Sequence, residues 1–538
     1  PRGHNIQCIS RPLPESSELQ HAYFDLISGE EGLENFTHWT DESKQSWTQE
    51  DHEFYEAQEG VVATTWLWRI TKEGSFEVKP EGGDTDEVGY EGQETKIADL
   101  TKEYQDIFTS EMYEFDATGK VKVEAIPILE GQEKEYPYRR PMRMSQAQMD
   151  ALRQQLQELL EKGYIRPSNS PYGSPVMMVP KPHQPEKLRL VIDYRALNKI
   201  TKRDRYPLPD TRQLFEDMKG STVFSTFDCI WGFWQLPLAE EDIAKTAMTT
   251  PIGSFEWRAL PMGLTNAPSV FMRHMANITR HLPFVHCFID DVMVHSKDLE
   301  EHGRHLKQVF EVFREHQIKL KDSKARWYQR SVKFLGHVIG VDGCKPQAAK
   351  IQAVTEWPVP TSVTEVRQFL GLVGFYRQYI WNFADKAKPL TDLTKKEAKV
   401  DEKLTFSKGS PAYEAFIALK EAMIHAPVLV IPDQDKARTG EAPYVVQTDA
   451  SGHAIGAVLM QDLGKGLQPI SFLSKSLIPA EQNYSTTERE LLGIVYATYE
   501  WRHLLTGARF TLQGDHKPLE QLFSPSKELT RRQARWIE

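Results

Sequence analysis

The stretch Val285-His-Cys-Phe-Ile-Asp-Asp-Val-Met-Val-His295 reads as two short apolar strands that meet at a pair of carboxylates. Val285 to Ile289 and Val292 to Val294 have strand character, and a two-residue turn between them carries Asp290 and Asp291 to an exposed hairpin tip. Aspartate is common in turns, so the ordinary reading of the doublet alone is a polar turn. A third carboxylate, Asp228, ends another strand-like run, Thr222-Val-Phe-Ser-Thr-Phe-Asp228. Three acids on adjacent strands repel one another, and they stay ionised together only where a cation compensates them. Hard oxygen ligands in that number suit Mg²⁺. Two such ions, about 4 Å apart, would activate an attacking hydroxyl and stabilise the leaving oxygen of a phosphoryl transfer.

Further blocks stand in a fixed order around these acids. They are Leu188-Arg-Leu-Val-Ile-Asp-Tyr-Arg-Ala-Leu-Asn-Lys-Ile-Thr201, Arg205-Tyr-Pro-Leu-Pro209, Leu260-Pro-Met-Gly-Leu-Thr-Asn-Ala-Pro268, Phe288-Ile-Asp-Asp291 and Phe334-Leu-Gly-His337. In order and spacing they resemble a reverse transcriptase. Phe369-Leu-Gly-Leu-Val-Gly-Phe-Tyr-Arg377, Thr448-Asp-Ala-Ser451 and Asp515-His-Lys-Pro-Leu519 resemble the pol polyprotein of gypsy-type LTR retrotransposons, in which a ribonuclease H domain follows the polymerase. The resemblance covers residues 96 to 538. It implies an α+β multidomain fold, a right-hand polymerase of fingers, palm and thumb or connection followed by a truncated ribonuclease H-like α/β domain. The implied division is an acidic segment of unknown function over 1–95, a linker over 96–135, fingers and palm over 136–340, thumb and connection helices over 341–403, and the ribonuclease H-like domain over 404–538.

The resemblance also assigns roles. Asp228, Asp290 and Asp291 fall on the palm carboxylates that hold two catalytic Mg²⁺ ions. Arg189, five residues before Tyr194, falls on the finger arginine that meets the incoming nucleotide's phosphates, work suited to a bidentate guanidinium. Lys187 is a second candidate for that contact. Phe233, five residues after Asp228, falls on the aromatic gate against a ribose 2′-hydroxyl, with a buried core aromatic as the alternative. Three departures stand out: Cys229-Ile-Trp-Gly-Phe-Trp234 is bulkier than the small polar residues expected after the first catalytic aspartate, Phe288 stands where tyrosine is commoner, and Met262 holds a variable place. The implied partners are RNA and DNA template-primers, RNA–DNA hybrids and deoxynucleoside triphosphates, with dimerisation left open.

A second set of carboxylates lies downstream. Tyr444-Val-Val-Gln-Thr-Asp-Ala-Ser451 is a strand that ends at Asp449 and opens a hairpin with the apolar run Ile455 to Met460. Glu490 has capping-box spacing from Thr487, yet it shares a helical stripe with Ile494, Ala497 and Trp501, and a carboxylate on an apolar face needs a partner. Asp515 follows the strand Arg509 to Gly514 and completes a set of three for one or two metal ions; alone it also suits a strand-to-helix junction. The family uses a fourth carboxylate after a final strand, and the sequence ends at Glu538 before one, so hybrid cleavage is expected to be impaired.

Charge is unevenly spread. Residues 1 to 120 carry 27 acidic and 9 basic side chains, and the remainder 49 acidic and 56 basic, so the polymerase-like part is mildly basic, as a duplex-holding groove requires, behind an acidic head. The head's Trp39, Trp47, Trp66 and Trp68 argue against full disorder, and Thr64 to Ile70 has strand character. Cys8, Cys229, Cys287 and Cys344 show no zinc or disulfide spacing. No apolar run is long enough to span a bilayer and no signal peptide opens the chain, so an intracellular location, in a cytoplasmic particle, is expected. The first residue is not Met, which suggests a piece of a longer polyprotein or a processed product. Helices are expected from the Ser145/Gln148 capping box to Gly163, over 301 to 318, and from the Ser362/Glu365 capping box. The proline-rich run from Pro167 to Pro185 reads as extended edge structure and turns, as finger hairpins would. A nonenzymatic nucleic-acid-binding remnant is the competing reading, disfavoured by the presence of all three palm aspartates.

Overall fold

The computed structural model describes residues 4–9, 88–116, 122–181, 184–207, 211–395, 408–514, 516, 519 and 530–537. Two compact units form, one from Ser46–Leu214 with Gly220–Leu335, the other from Pro1–Gln45, Phe215–Lys219 and Gly336–Glu538.

In the first unit, α1 (Gln146–Glu161) begins as its sequence dictates. Ser145 Oγ accepts from the Gln148 amide while the Gln148 side chain accepts from the Ser145 amide, a reciprocal capping box. Leu152, Leu156 and Leu159 are buried, and Gly163 leaves the helix at φ +78°, a conformation that costs glycine little. Next come β1 (Ile165–Pro167), β2 (Ser174–Lys181), β3 (Gln184–Ile192), β4 (Val223–Asp228), β5 (Met248–Thr250) and β6 (Gly253–Trp257). One sheet has the order β1-β6-β5-β2-β3, so β2, with Pro175 and Pro180, is interior rather than the edge structure expected. The prolines are tolerated because its partners are staggered. β5 pairs only at Ser174 and Pro175, β3 pairs along Val176 to Lys181, and the register shifts at Pro180/Lys181.

The second sheet takes β4 together with β7 (Val285–Phe288), β8 (Asp291–Ser296) and β9 (Arg326–Phe334), in the order β7-β8-β4-β9. Two helices pack on it, α2 (Ala267–Thr279) and α3 (Leu299–Glu315). The second of these starts slightly earlier than expected because Asp298 caps the amides of Glu300 and Glu301. Its expected stripe of Leu306, Val309, Phe310 and Phe313 is fully buried. Val88–Gly89 pairs with β9, and the Tyr90 hydroxyl donates to Thr222 O. A boundary at residue 95 would separate the paired Val88–Gly89 from this unit and fall inside the helix Glu94–Glu103.

In the second unit, α4 (Val363–Phe375) is capped by Ser362, whose Oγ accepts from the Glu365 amide, and it buries Val366, Phe369, Leu372 and Val373. The strands β10 (Tyr444–Ala450), β11 (Ala454–Asp462) and β12 (Leu467–Ser476), then α5 (Thr486–Glu500) and β13 (Arg509–Gly514), build a sheet in the order β12-β11-β10-β13. β10 and β13 are parallel, which requires the crossover that α5 supplies. His4–Ile9 pairs antiparallel along the outer side of β13. Thr64 to Ile70, expected as a strand, lies outside the described residues.

Candidate active site

The hairpin β7-β8 and its neighbour β4 bring the three aspartates together. Asp228 stands directly opposite Asp291 in the β4-β8 register, and Phe288 pairs with Asp291 across the hairpin. Ile289 and Asp290 therefore form the turn, and Asp291 opens the second strand instead of sharing the tip. Ile289 sits at φ 54°, a left-handed conformation that is an outlier for a β-branched residue. Two contacts hold it: its amide lies 2.7 Å from Met272 Sδ, and the neighbouring Asp290 carbonyl accepts from the Cys229 amide at 2.7 Å.

The bulky run after Asp228 resolves into separate jobs. Cys229 and Ile230 are buried, and Trp234 packs on Trp257 at 5.0 Å and on Tyr164 at 5.8 Å. Gly232 is the member that abuts Asp290, and a β-carbon there would collide with Asp290 Oδ1. Phe233 lies in the short 3₁₀ turn Gly232–Gln235, half-buried and edge-on to Phe271 at 5.6 Å. It is thus neither a strand residue nor fully interred.

Electrostatically the cluster is under-compensated. Loss of hydration, then the charges of Asp228 and Asp291, push the Asp290 carboxyl up to about 7. Loss of hydration and then Asp228 push Asp291 up to about 6. Asp290 Oδ1 is buried without a hydrogen-bond partner. The one opposing influence on both is Lys324, whose Nζ lies 2.6 Å from Asp228 Oδ2. Among the described residues no three His, Cys, Asp or Glu side chains converge as a ready-made ion-holding group. The compensating charge in this arrangement is an ammonium. The donor set nevertheless fits a hard divalent cation: three carboxylates, one orphaned buried oxygen, and two carboxyls pushed upward for want of positive charge.

Arg189 and Lys187 alternate along β3, on the other sheet, so both stand on one of its faces, and both are exposed. In the second unit, Asp449 lies on β10 opposite Gly456, and its Oδ2 accepts from Asn382 Nδ2 at 3.2 Å. Glu490 is not the helix cap. That box is formed by Ser485 and Glu488, and Glu490 lies further along α5, buried. Its helix packs on β10, where a β-carbon on Gly493 would meet Thr448 Cβ at 3.8 Å, next in sequence to Asp449. Asp515 lies outside the described residues.

Residues 179–339 match the family described as reverse transcriptase (RNA-dependent DNA polymerase), and residues 439–538 match the RNase H-like domain found in reverse transcriptase. The chain carries both domains, in that order. Its homologues are Pol polyproteins of gypsy-type transposons. The retrovirus-related Pol polyprotein from transposon 297 of Drosophila melanogaster is 41% identical over 414 residues, covering 75% of this chain and 37% of the relative. That from transposon gypsy of the same organism is 36% identical over 384 residues, covering 69% and 36%. The chain thus spans little more than a third of these relatives. Among solved structures, a foamy viral protease-reverse transcriptase in complex with dsDNA shares the fold at a TM-score of 0.70 and 21% identity, over 89% of this chain and 94% of that one. Within the reverse transcriptase domain, sequence reasoning missed Gly232 and Lys324. The first had a signal, as the one small residue in a bulky run; the second is one of several lysines between Lys319 and Lys324, and only the fold singles it out.

Proposed function

We propose that this chain is an RNA-directed and DNA-directed DNA polymerase whose site is the Asp228, Asp290 and Asp291 cluster, joined to a ribonuclease H domain that works through Asp449, Glu490 and Asp515. The observation that carries the polymerase reading is the register of Asp228 against Asp291 with Asp290 in the adjoining turn, which puts three carboxylates at one end of paired strands. Two Mg²⁺ held there would activate the primer's 3′-hydroxyl and steady the leaving pyrophosphate. The chain's own residues do the positioning: the Met272 and Cys229 contacts fix the turn, Gly232 leaves room for the Asp290 carboxylate, and the rigid β4-β8 pair fixes the spacing of Asp228 and Asp291. Phe233, next to Gly232, would sense the nucleotide sugar, and Arg189, with Lys187, would meet its phosphates. The substrates are deoxynucleoside triphosphates and a primed RNA or DNA template.

Asp228→Asn or Asp291→Asn should cost several kcal/mol of transition-state stabilisation, on the order of a thousandfold in rate, with little change in primer binding. The measurement is extension of a DNA primer on an RNA template with Mg²⁺. Near-normal rates in both variants would favour a nonenzymatic nucleic-acid-binding remnant.

A further inference from the structure

Lys324 is the feature of the site that the mechanism above leaves unused. It ends the 3₁₀ turn Asp322–Lys324, just before β9, and β9 pairs Arg326 with Thr226 of β4, two residues from Asp228. The paired scaffold therefore delivers the ammonium to the carboxylate, at 2.6 Å from Asp228 Oδ2. The Lys324 side chain remains 55% exposed against 22% for Asp228, so it has solvent to withdraw into. An ion pair of that exposure is weak and costs little to break. Three crowded carboxylates, by contrast, need positive charge at all times.

We infer that Lys324 is a displaceable counter-ion: it sits on Asp228 while the cluster is free of metal, and swings out to solvent when a divalent cation takes its place. The inference rests on the metal-centre reading of the three aspartates and adds a residue that positions them between turnovers. Its consequence is competition. The lysine lowers the apparent affinity of the site for cations while keeping the empty site from repelling itself apart.

The test is binding of Mn²⁺ alone to the full chain, followed by electron paramagnetic resonance without nucleotide or nucleic acid. Lys324→Gln should bind Mn²⁺ roughly fivefold more tightly, the upper end for an exposed ion pair. Lys321→Gln, which removes a neighbouring charge that has no bond to Asp228, should change it less than half as much. In EDTA, Lys324→Gln should also melt below the unaltered chain, and saturating Mn²⁺ should close that gap. Equal or weaker Mn²⁺ binding by Lys324→Gln, an equal effect of Lys321→Gln, or unaltered melting in EDTA would overturn the inference. Asp228→Asn and Asp291→Asn separate it from its foundation: if both bind Mn²⁺ as the unaltered chain does, the metal centre itself is misassigned, whereas if both lose binding and Lys324→Gln is unchanged, only the counter-ion role is lost.

Discussion

At the scale of single residues, the Asp290 and Asp291 carboxyls carry a measurable signature. Both hold their protons more tightly in the folded chain than at the ordinary value of 3.8, rising to about 7 and about 6. The folded state therefore binds more protons than the unfolded one between those limits, and stability of the ion-free protein should fall as pH rises from about 4 through 7. Thermal melting in EDTA across that range checks this, and Asp290→Asn should flatten the slope; a slope unchanged by the substitution would place the titration elsewhere. Protons also compete with cations for these oxygens, so Mg²⁺-dependent extension should climb between pH 6 and 7. Gly232→Ala tests the packing behind Asp290. Its new methyl collides with Oδ1, and displacing a reacting group by about an ångström costs on the order of a hundredfold in rate. Extension at full rate by a folded Gly232→Ala protein would show that the carboxylate has slack. Phe233→Val should admit ribonucleotides while leaving deoxynucleotide insertion usable, and an unchanged ratio of the two insertion efficiencies would return Phe233 to a packing role. The cluster of aspartates was legible in the sequence because three carboxylates at the ends of strand-like runs repel one another and call for a cation, whereas the doublet alone reads as a turn. Lys324 and Gly232 were not, since contact across strands depends on register.

At the scale of elements, periodicity and capping chemistry carried most of the reading, and they failed where two signals overlapped. The Ser145 box, the α3 stripe and the Ser362 cap rest on local hydrogen bonds and a 3.6-residue period, which sequence displays directly. At the start of α5 two boxes compete, Ser485/Glu488 and Thr487/Glu490, and the chain uses the first. That choice frees Glu490 to lie buried one step further into the helix. Prolines misled for another reason: β2 is interior, but its two neighbours pair with different stretches of it, and no local signal shows that stagger. Ser485→Ala should cost about 1 kcal/mol through the lost cap, whereas Glu490→Gln should leave the fold nearly as stable while abolishing the reduced hybrid cleavage expected of this chain. Chemical denaturation and a labelled RNA–DNA hybrid separate the two effects. Cleavage surviving in Glu490→Gln would make this glutamate structural.

At the scale of the whole molecule, the acidic head and the mildly basic remainder pose a question that domain matching leaves open. The head carries a large excess of acids and would repel a template, while Val88–Gly89 pairs with β9 of the first unit. Removing residues 1 to 87 should therefore leave primer extension intact or slightly faster at low salt, with the difference vanishing as ionic strength rises. The second unit should respond differently. His4–Ile9 runs antiparallel along β13, with Ile6 opposite Leu512 and Cys8 opposite Phe510 in the backbone register. Without that strand, one side of β13 loses its hydrogen-bonding partner, and amide exchange along Arg509–Gly514 should quicken while exchange along β4 and β8 stays as it was. Loss of extension by a folded deletion variant would make the head part of the catalytic unit. Unchanged exchange along β13 would show that the first strand contributes nothing to the sheet it borders.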